Sequence, residues 1–475
     1  MNKKIGTMIM AGVMACTMTA TLAFSGCKTV IPDFDMPEGG YDGSAVEIMF
    51  YNTMGQNLRG VLDSAITRFN ALYPNITVKY DPSSGDYDTL RDKIKLEVQN
   101  GVQPNIAFCY PDHVALYNQA GAVVVLDDFL PGGAFKDMTV TQADGKEVPL
   151  GLTQEQKDDF IEAYYEEGAI FGDGKMYTLP FAKSTEVLYY NKTFFDAHEE
   201  LTEPTSDMTW EQIFALCAEI KKIDSNCVPL GIDSESNLFI TLCEQSNSPY
   251  TSATGEHFLF DNDVNRAFVQ KFHDWYQSGY FTTETINKSY TSNLFKEQKS
   301  YMSIGSSAGA QYQAPDVKDG KADFEVGIVS IPQINPEKPK SISQGPSVCI
   351  FKQENPQEVI ASWLFVKFLT TEIQFQAMYS ETSGYVPVLK SVFENQVYQD
   401  HLASANGYLD GITALSAKTC KALVEENAYY TSPAFIGSSK ARDEVGILMV
   451  AALTETKTID KAFRDAIDEC RYFAG

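Results

Sequence analysis

The sequence has 475 residues, 44% of them hydrophobic and 12% aromatic, so it can build a large core and is too long for one ordinary domain. Acidic residues outnumber basic ones by 63 to 37, which gives a net charge of −26 at pH 7. A surface this negative repels phosphate backbones and anionic lipids, which excludes nucleic acid as a partner and favours a soluble protein that binds a small molecule. An anionic ligand would therefore need a locally positive pocket.

The N-terminus predicts an export signal. Two lysines precede an uncharged, largely apolar stretch from Ile5 to Phe24, and the letters SGC, ending at Cys27, follow. A charged start, an apolar stretch and small residues before a cleavage position are typical of such signals. Small residues directly before a cysteine also resemble a bacterial lipobox, although Phe24 stands where that motif usually has leucine. We expect residues 1–26 to be removed and Cys27 to carry the lipid, at the extracellular face of the cytoplasmic membrane. An uncleaved anchor and a plain secretory signal stay open.

Residues 27–44 are rich in Pro, Gly and Asp and predict a flexible tether. The seven cysteines that follow the tether are scattered, with no C-x-x-C pair and no metal-type spacing. We therefore expect buried thiols that behave as small hydrophobic groups. The five histidines form no H-E-x-x-H motif and no close pair, so neither a metal nor a cofactor is predicted.

The folded part begins with alternating strand and helix patterns. The strand VEIMFY precedes a helix whose apolar face runs from Leu58 to Leu72, and the alternating NITVKY predicts a second strand. A helix from about Tyr87 leads to a third strand in PNIAFCY. This βαβαβ order predicts a parallel sheet, and ligands on such sheets bind at the carboxyl ends of the strands. Asn52 and Asp112 follow two of those ends and are candidate ligand contacts.

Further helices are predicted later in the chain. TWEQIFALCAEIKK starts with a capping box of Thr209 and Gln212. Another helical pattern places apolar residues on one face, namely Val264, Phe268, Phe272 and Trp275. PQEVIASWLFVKFLTT carries a third apolar stripe. These stripes are predicted to face the core.

A G-x-S-x-G pattern occurs at Gly305, Ser307 and Gly309, and it matches the nucleophile elbow of serine hydrolases. Such enzymes need an acid and then a histidine after the serine, and His401 is the only histidine downstream. Glycosidase carboxylates can also lie far apart in a chain. A secreted serine or glycoside hydrolase is therefore a distant alternative.

Five spaced segments resemble the extracellular solute-binding proteins for carbohydrates, which capture ligands for ABC importers. They are YTLPFAKSTEVLYYNKTFF, TWEQIFALCAEIKK, NLFKEQKSYMSIGSSAG, PQEVIASWLFVKFLTT and SGYVPVLKSV. The resemblance implies an α/β, two-lobe periplasmic-binding-protein-like fold of type II, with the ligand cleft between lobes that hinge strands join. Lobe one would hold residues 45–181 plus 349–388, and lobe two residues 182–348 plus 389–475. It also implies a monomer, no enzymatic activity, and the transmembrane subunits of an ABC permease as partners.

Within that family, the segments FYNTMGQNLRGVLDSAITRFNALYP and YDPSSGDYDTL resemble the glycerol-3-phosphate-binding branch. The resemblance implies these ligand contacts: Tyr87, Ser184, Ser306, Gly345, Tyr385 and Arg442. Hydroxyl groups, a backbone amide and a guanidinium fork suit a phosphate ester, and helix N-termini would add oriented N–H groups. The branch has a glutamate directly after the third-strand tyrosine, where this chain has Pro111 and then Asp112. From the implied contacts, the expected ligand is glycerol-3-phosphate or a glycerophosphodiester.

Three alternatives accompany these assignments. Arg442 could form a surface ion pair with the acidic residues that follow it. Tyr385 could be an ordinary tyrosine packed at the hinge. The ligand could instead be a neutral oligosaccharide, held by the aromatic residues Tyr51, Tyr110 and Trp210.

Overall fold

The computed structural model describes residues 31–81, 85–318 and 321–474. The predicted signal sequence and Cys27 lie outside these residues. No helix in the described ranges has both the length and the apolar character needed to cross a membrane.

The strands form two five-stranded sheets and three two-stranded ones. In chain order the strands are β1 Val46–Tyr51, β2 Ile76–Asp81, β3 Ile106–Cys109, β4 Thr139–Thr141, β5 Glu147–Pro149, β6 Leu179–Pro180, β7 Glu186–Asn191, β8 Leu230–Ile232, β9 Phe281–Thr283, β10 Met302–Ser306, β11 Val317–Lys318, β12 Lys321–Ala322, β13 Val326–Ser330, β14 Ser341–Ile342, β15 Ser347–Ile350 and β16 Tyr429–Tyr430. The first large sheet has the order β2-β1-β3-β15-β6, and the second has the order β13-β7-β10-β8-β9.

Helices pack on the faces of both sheets. They are α1 Gln56–Leu72, α2 Tyr87–Asn100, α3 Pro111–Asn118, α4 Gln154–Asp159, α5 Glu162–Glu166, α6 Lys192–Asp196, α7 Trp210–Ile223, α8 Glu235–Gln245, α9 Asp263–Gln277, α10 Glu284–Asn287, α11 Thr291–Lys296, α12 Ala310–Gln313, α13 Pro356–Thr371, α14 Ile373–Ser383, α15 Lys390–Glu394, α16 Gln396–Ala403, α17 Ile412–Glu425, α18 Ser438–Leu453 and α19 Ile459–Ala474.

The first sheet confirms the predicted βαβαβ unit. β1 pairs in parallel with both β2 and β3, and α1 and α2 are the connections. The alternation of β1 buries Ile48 and Phe50, and the Phe50 ring meets Phe108 of β3 edge to face at 5.2 Å. On the helical side, Trp363 of α13 stacks on Phe129. This sheet therefore closes over one continuous apolar core.

The second sheet has its own core, which contains apolar residues of α7, α8, α9, α18 and α19. The capping box at the start of α7 is present, with both the Thr209 and the Gln212 hydrogen bonds formed. The predicted core position of Val264 is wrong, because this side chain is 51% exposed. Asn265 takes the inward position in that turn instead, and its amide donates to the Phe260 carbonyl.

Chain crossings connect the two sheets. The chain passes between them from β6 to β7 and again from β13, through β14, to β15, and Ser184 and Gln344 exchange two backbone hydrogen bonds where these crossings meet. Gly345 has φ +88°, and a Cβ atom there would lie 2.5 Å from the Ala182 carbonyl oxygen. Only glycine lets the two crossings come this close.

Helices α15 to α17 pack on α14. Their apolar residues belong to the same core as β1, while α17 also packs on β13 of the second sheet. The predicted lobe boundaries stay a prediction.

The described part of the expected tether, residues 31–44, lies against the first core. It forms no helix or strand, but Phe34 stacks on Phe129 with ring centroids 5.8 Å apart. Further along, the Gln357 amide donates to the Gly40 carbonyl at 3.0 Å. Apolar residues between the prolines and glycines of this segment give it a surface to bury, so residues 31–44 are docked rather than free.

The seven described cysteines are all free and buried, which confirms the expectation of buried thiols.

Candidate functional site

A cavity of about 500 Å³ opens between the two cores. The first turns of four helices line it: α2 and α3 from the first core, and α8 and α18 from the second. The backbone N–H groups of a first helical turn lack intrahelical acceptors, and the helix dipole adds partial positive charge there. Four such ends around one cavity favour a negatively charged ligand group.

The start of α18 brings an arginine to the cavity and, like the start of α3, lacks a side-chain cap. Its N-cap residue, Gly437, provides no side-chain cap, and Ser438, Ser439 and Arg442 of the first turns line the cavity. The surface ion pair that was the alternative for Arg442 is not formed: Glu444 pairs with Lys440 instead, and Arg442 has no salt bridge to any described residue. Its Nη1 donates to the Asn237 side-chain oxygen at 2.7 Å.

The charge of Arg442 is retained in this setting. Burial disfavours the charged guanidinium, but the Asp112 carboxylate and the nearby tyrosines outweigh burial and raise the pKa of Arg442. Among the described residues that line the cavity, Arg442 is the only arginine or lysine, and it faces several carboxyl groups. These are Asp86, Asp88, Asp112, Glu167, Asp233, Glu284 and Asp443.

The amide of Asn237 separates Arg442 from a buried acid. Its Nδ2 donates to Glu186 Oε1 at 3.0 Å, and Glu186 is 4% exposed at the start of β7. Burial raises the pKa of Glu186 to about 7, the charge of Asp233 adds to this effect, and the Asn237 hydrogen bond and Arg442 oppose it.

A second group of acids lies beyond the carboxyl end of β8. Asp233 accepts hydrogen bonds from the Thr291 amide and hydroxyl at 2.8 and 2.7 Å. Burial, and then the charges of Asp233 and Glu235, raise the pKa of Glu284. The exposed Tyr290 lines the cavity next to these acids. This side can accept hydrogen bonds from hydroxyl groups or attract a cation.

Tyrosines separate this cavity from a smaller one of about 260 Å³. Tyr87 lines both cavities, its hydroxyl lies 3.3 Å from the Tyr385 hydroxyl, and its ring lies 4.7 Å from that of Tyr110. Burial raises the pKa of Tyr87 well above its ordinary value, so the hydroxyl stays neutral and can donate a hydrogen bond. Ser306 and Tyr385 line the smaller cavity.

A buried ion pair lies behind the floor of the larger cavity, which Glu167 of this pair lines. Lys183 Nζ lies 2.5 Å from Glu167 Oε1, and the two side chains are 0% and 2% exposed. Glu167 also accepts hydrogen bonds from the hydroxyl groups of Ser343, Ser347 and Thr431. One carboxylate therefore ties together four chain segments at the crossings between the sheets.

The structure brings five of the eight predicted contact residues to the cavities. Tyr87, Asp112 and Arg442 line the larger one, and Ser306 and Tyr385, with Tyr87, line the smaller.

Three predicted residues lie behind the walls of these two cavities. Ser184 is 2% exposed in the backbone crossing. Gly345 packs against the Ala182 carbonyl, although its neighbours Ser343 and Gln344 reach the larger cavity. Asn52 is fully buried and accepts from the Met54 amide. Their roles as ligand contacts stay predictions.

Two aromatic residues named for a sugar ligand lie elsewhere. The Trp210 indole is 2% exposed in the second core, where its Nε1 donates to Gln245. Tyr51 donates to Glu97 and has the Lys93 ammonium 3.9 Å from its ring centroid. Tyr110 alone of the three faces the cavity.

The serine of the G-x-S-x-G pattern has a structural role. Ser307 is fully buried, its hydroxyl accepts a hydrogen bond from the Thr185 amide at 3.1 Å, and its carbonyl accepts one from Ser416. This bonding fixes the end of β10 to the neighbouring crossing and to α17. A buried, hydrogen-bonded hydroxyl cannot meet a substrate carbonyl.

Sequence patterns alone did not single out several residues of the site. Asp233 follows the carboxyl end of β8, so the strand-end rule applied to the second sheet could have found it. Asn237 gave no local signal because Arg442 lies 205 positions away, and Glu167 gave none because its hydroxyl partners Ser343 and Thr431 lie 176 and 264 positions away.

Comparisons with known proteins give a consistent result. A family model described as bacterial extracellular solute-binding protein matches residues 64–406. The sn-glycerol-3-phosphate-binding periplasmic protein UgpB of Rhizobium meliloti (strain 1021) is 27% identical over 246 residues, which cover 49% of this chain and 53% of that protein. The chain therefore spans about half the length of this curated relative.

Two solved structures share the fold. UgpB from Mycobacterium tuberculosis, in complex with glycerophosphocholine, superposes with a TM-score of 0.69 at 15% identity and covers 91% of this chain and 99% of its own. The cyclic alpha-maltosyl-1,6-maltose binding protein from Arthrobacter globiformis gives a TM-score of 0.67 at 18% identity, with 90% and 99% covered. The predicted two-lobe α/β fold is confirmed.

Proposed function

The chain belongs to the bacterial extracellular solute-binding protein family, and we propose that it captures glycerol-3-phosphate or a glycerophosphodiester for an ABC importer without making or breaking a bond. The observation that carries this proposal is Arg442. Its guanidinium faces the cavity at the uncapped start of α18, and it forms no salt bridge with a described residue. A permanently charged fork at a helix N-terminus is the arrangement that binds phosphate oxygens.

The rest of the cavity suits the other end of such a molecule. The carboxylates of Asp112, Asp233 and Glu284 accept hydrogen bonds from glycerol hydroxyl groups, and the tyrosine hydroxyls can donate. Because the lining is rich in acids, a phosphodiester with one negative charge is repelled less than a phosphate monoester with nearly two. We therefore favour a glycerophosphodiester over glycerol-3-phosphate. The names of the curated relative and of one structural neighbour support this class of ligand.

A neutral oligosaccharide is the second candidate. The numerous carboxylates of the cavity favour it, since they accept hydrogen bonds from sugar hydroxyls, and Tyr87, Tyr110 and Tyr290 offer ring faces. A structural neighbour that binds a cyclic maltosyl-maltose supports it as well. This alternative gives Arg442 no anionic partner, which is why it ranks second.

Thermal unfolding with a ligand panel separates the two. The panel contains glycerol-3-phosphate, a glycerophosphodiester and maltotriose, each at increasing concentration. A true ligand at 100 times its dissociation constant stabilises the folded protein by about 2.7 kcal/mol. Stabilisation by maltotriose alone would overturn the phosphate-ester proposal.

Arg442→Ala tests the key contact. We expect it to weaken binding of the phosphodiester about 100-fold, because two charge-assisted hydrogen bonds at about 1.5 kcal/mol each are lost. Lys440→Ala is the matched control, since it removes a positive charge from the same helix but pairs with Glu444 away from the cavity. Calorimetric titration measures the affinity of both variants for the phosphodiester. Equal effects of the two variants would show that general charge, rather than the Arg442 contact, attracts the ligand.

The cellular setting is also proposed. The protein acts as a monomer at the extracellular face of the cytoplasmic membrane, where a lipid on Cys27 holds it near the permease. The lipobox-like letters before Cys27 support this location. Cys27→Ser should release the protein from the membrane fraction, and retention of this variant in membranes would point to an uncleaved anchor.

A further inference from the structure

We propose that Glu186 is a positioning residue that acts through Asn237 to hold the Arg442 guanidinium toward the cavity, and that anion binding is linked to protonation of Glu186. This inference rests on the proposed function, because it assigns Arg442 to the anionic group of the ligand. It adds two residues, Glu186 and Asn237, that neither the sequence patterns nor the family resemblance indicated.

The series of hydrogen bonds from Arg442 through Asn237 to Glu186 fixes the orientation of the Asn237 amide. A guanidinium only donates, so the amide must turn its oxygen toward Arg442, and the amide nitrogen then points at Glu186. The donor–acceptor distances are 2.7 and 3.0 Å. Asn237 is anchored in addition by its backbone, whose N–H donates to the Ser234 hydroxyl at the N-cap of α8. The side chain is therefore held at both ends of its amide, and the residue at three points.

The neutral amide acts as a spacer between opposite charges. A direct contact between Glu186 and Arg442 would neutralise the guanidinium before a ligand arrives. With Asn237 between them, Arg442 is oriented by a hydrogen bond yet keeps its charge for the cavity. This explains how one arginine stays available in a cavity that several carboxylates line.

Glu186 can carry out this role in both protonation states. Its carbonyl oxygen accepts the Asn237 hydrogen bond whether or not the other oxygen carries a proton, so positioning persists. Only the charge changes. An anion bound at Arg442 disfavours the ionised carboxylate behind it, and ligand binding should draw a proton onto Glu186.

The charged and titratable groups around Glu186 set where this happens. Asp233 disfavours ionisation, Arg442 favours it, and the hydroxyl of Tyr430 on β16 also lies within the reach of this charge. Burial is the largest effect, and the sum of burial and these neighbouring charges raises the pKa of Glu186 to about 7. The linkage therefore falls in the range from pH 6 to pH 8.

Titration calorimetry with a phosphodiester across this pH range tests the inference. A diester keeps one negative charge throughout, so changes in affinity report on the protein. Two unit charges roughly 10 Å apart at an effective dielectric constant of about 30 change the affinity about sixfold between the fully protonated and the fully ionised carboxyl. Because the range from pH 6 to pH 8 covers only part of this titration, wild-type affinity should fall about fourfold across it. Proton uptake on binding near pH 7 should appear as a dependence of the measured heat on the buffer.

Two variants separate charge from positioning. Glu186→Gln keeps an acceptor for Asn237, so its affinity should be flat with pH and match the wild-type value at pH 6. Glu186→Ala should also be flat with pH but bind about tenfold more weakly, because the lost hydrogen bond is worth about 1.4 kcal/mol. Glu235→Gln is the control: this buried acid, on the same helix as Asn237, accepts hydrogen bonds from Thr285 instead, and its variant should keep the wild-type pH slope.

The possible failures are distinct. If wild-type protein does not bind the phosphodiester at any pH, the proposed ligand class is wrong and this inference falls with it. If it binds and Glu186→Gln keeps the wild-type pH slope, the proposed function stands and the proton linkage is refuted. If Glu186→Ala binds as tightly as Glu186→Gln, Glu186 does not position Arg442.

Discussion

Removal of the ammonium behind the floor of the cavity is the most demanding test of the structure. Lys183→Met leaves the Glu167 carboxylate buried without its counter-charge, and losing one partner of a buried ion pair costs about 3–5 kcal/mol. Three hydroxyl groups, from Ser343, Ser347 and Thr431, still donate to Glu167 and partly replace water. We therefore expect a loss near the lower limit, about 3 kcal/mol in the free energy of unfolding.

The double variant Lys183→Met with Glu167→Gln removes both charges and should lose only about 2 kcal/mol. A coupling energy of several kcal/mol between the two sites then follows, since each single variant leaves one buried charge unpaired. Urea unfolding, monitored by circular dichroism, gives the midpoints and slopes needed.

An exposed ion pair provides the control. Lys352 lies 2.6 Å from Asp33, whose side chain is 88% exposed, and Lys352→Met should cost less than about 1 kcal/mol. If Lys183→Met loses no more than this control, or if the two single losses simply add in the double variant, the argument about the buried pair is refuted.

Three further outcomes are expected from stability measurements. Gly345→Ala should cost at least about 2 kcal/mol more than Gly132→Ala in urea unfolding, because both glycines have φ +88° but only the first would place a Cβ against backbone; equal losses would mean that the crossing relaxes. Phe34→Ala should cost about 1–2 kcal/mol if residues 31–44 are docked, and no loss would indicate a free segment. The pKa of Glu186 is raised from 4.5 to about 7, so the free energy of unfolding of the wild-type protein should fall as the pH rises through this window. The free energy of unfolding of Glu186→Gln should therefore exceed that of wild type by up to about 3 kcal/mol at pH 8 and match it near pH 4.5. The opposite slope would contradict the raised pKa.

The sequence predicted the fold well where local patterns carry the information. The alternation in β1 and the apolar face of α1 depend on neighbouring residues, and both elements lie where expected. Val264 shows the limit of periodicity, because the pattern identifies a face but not which turn the neighbouring helices cover. Trp210 shows another limit of sequence patterns, because an aromatic residue at a helix start can face the core as readily as a ligand cleft.

The site was predicted in part because its residues come from distant segments. Arg442 and Tyr87 were found through resemblance to a family, and Asp112 through the strand-end rule together with that resemblance. Asn237, Glu186 and Lys183 act through partners that only the folded chain brings together, so no local pattern marks them. The resemblance also pointed to Ser184 and Gly345, which here form the crossings that set the cavity floor.

The four helix starts around the cavity have a mechanical consequence. Two of them belong to one half of the molecule and two to the other, so like partial charges face each other across the gap. Carboxylates beside these ends, such as Asp86 and Asp112, offset part of that charge. The anionic ligand proposed above would interact favourably with the helix ends of both halves and so favour their approach. Arg91 of α2 donates to the Ser439 hydroxyl of α18 at 2.9 Å, a contact that already joins the two halves. Binding of the proposed ligand would then itself favour the closed arrangement of the two halves.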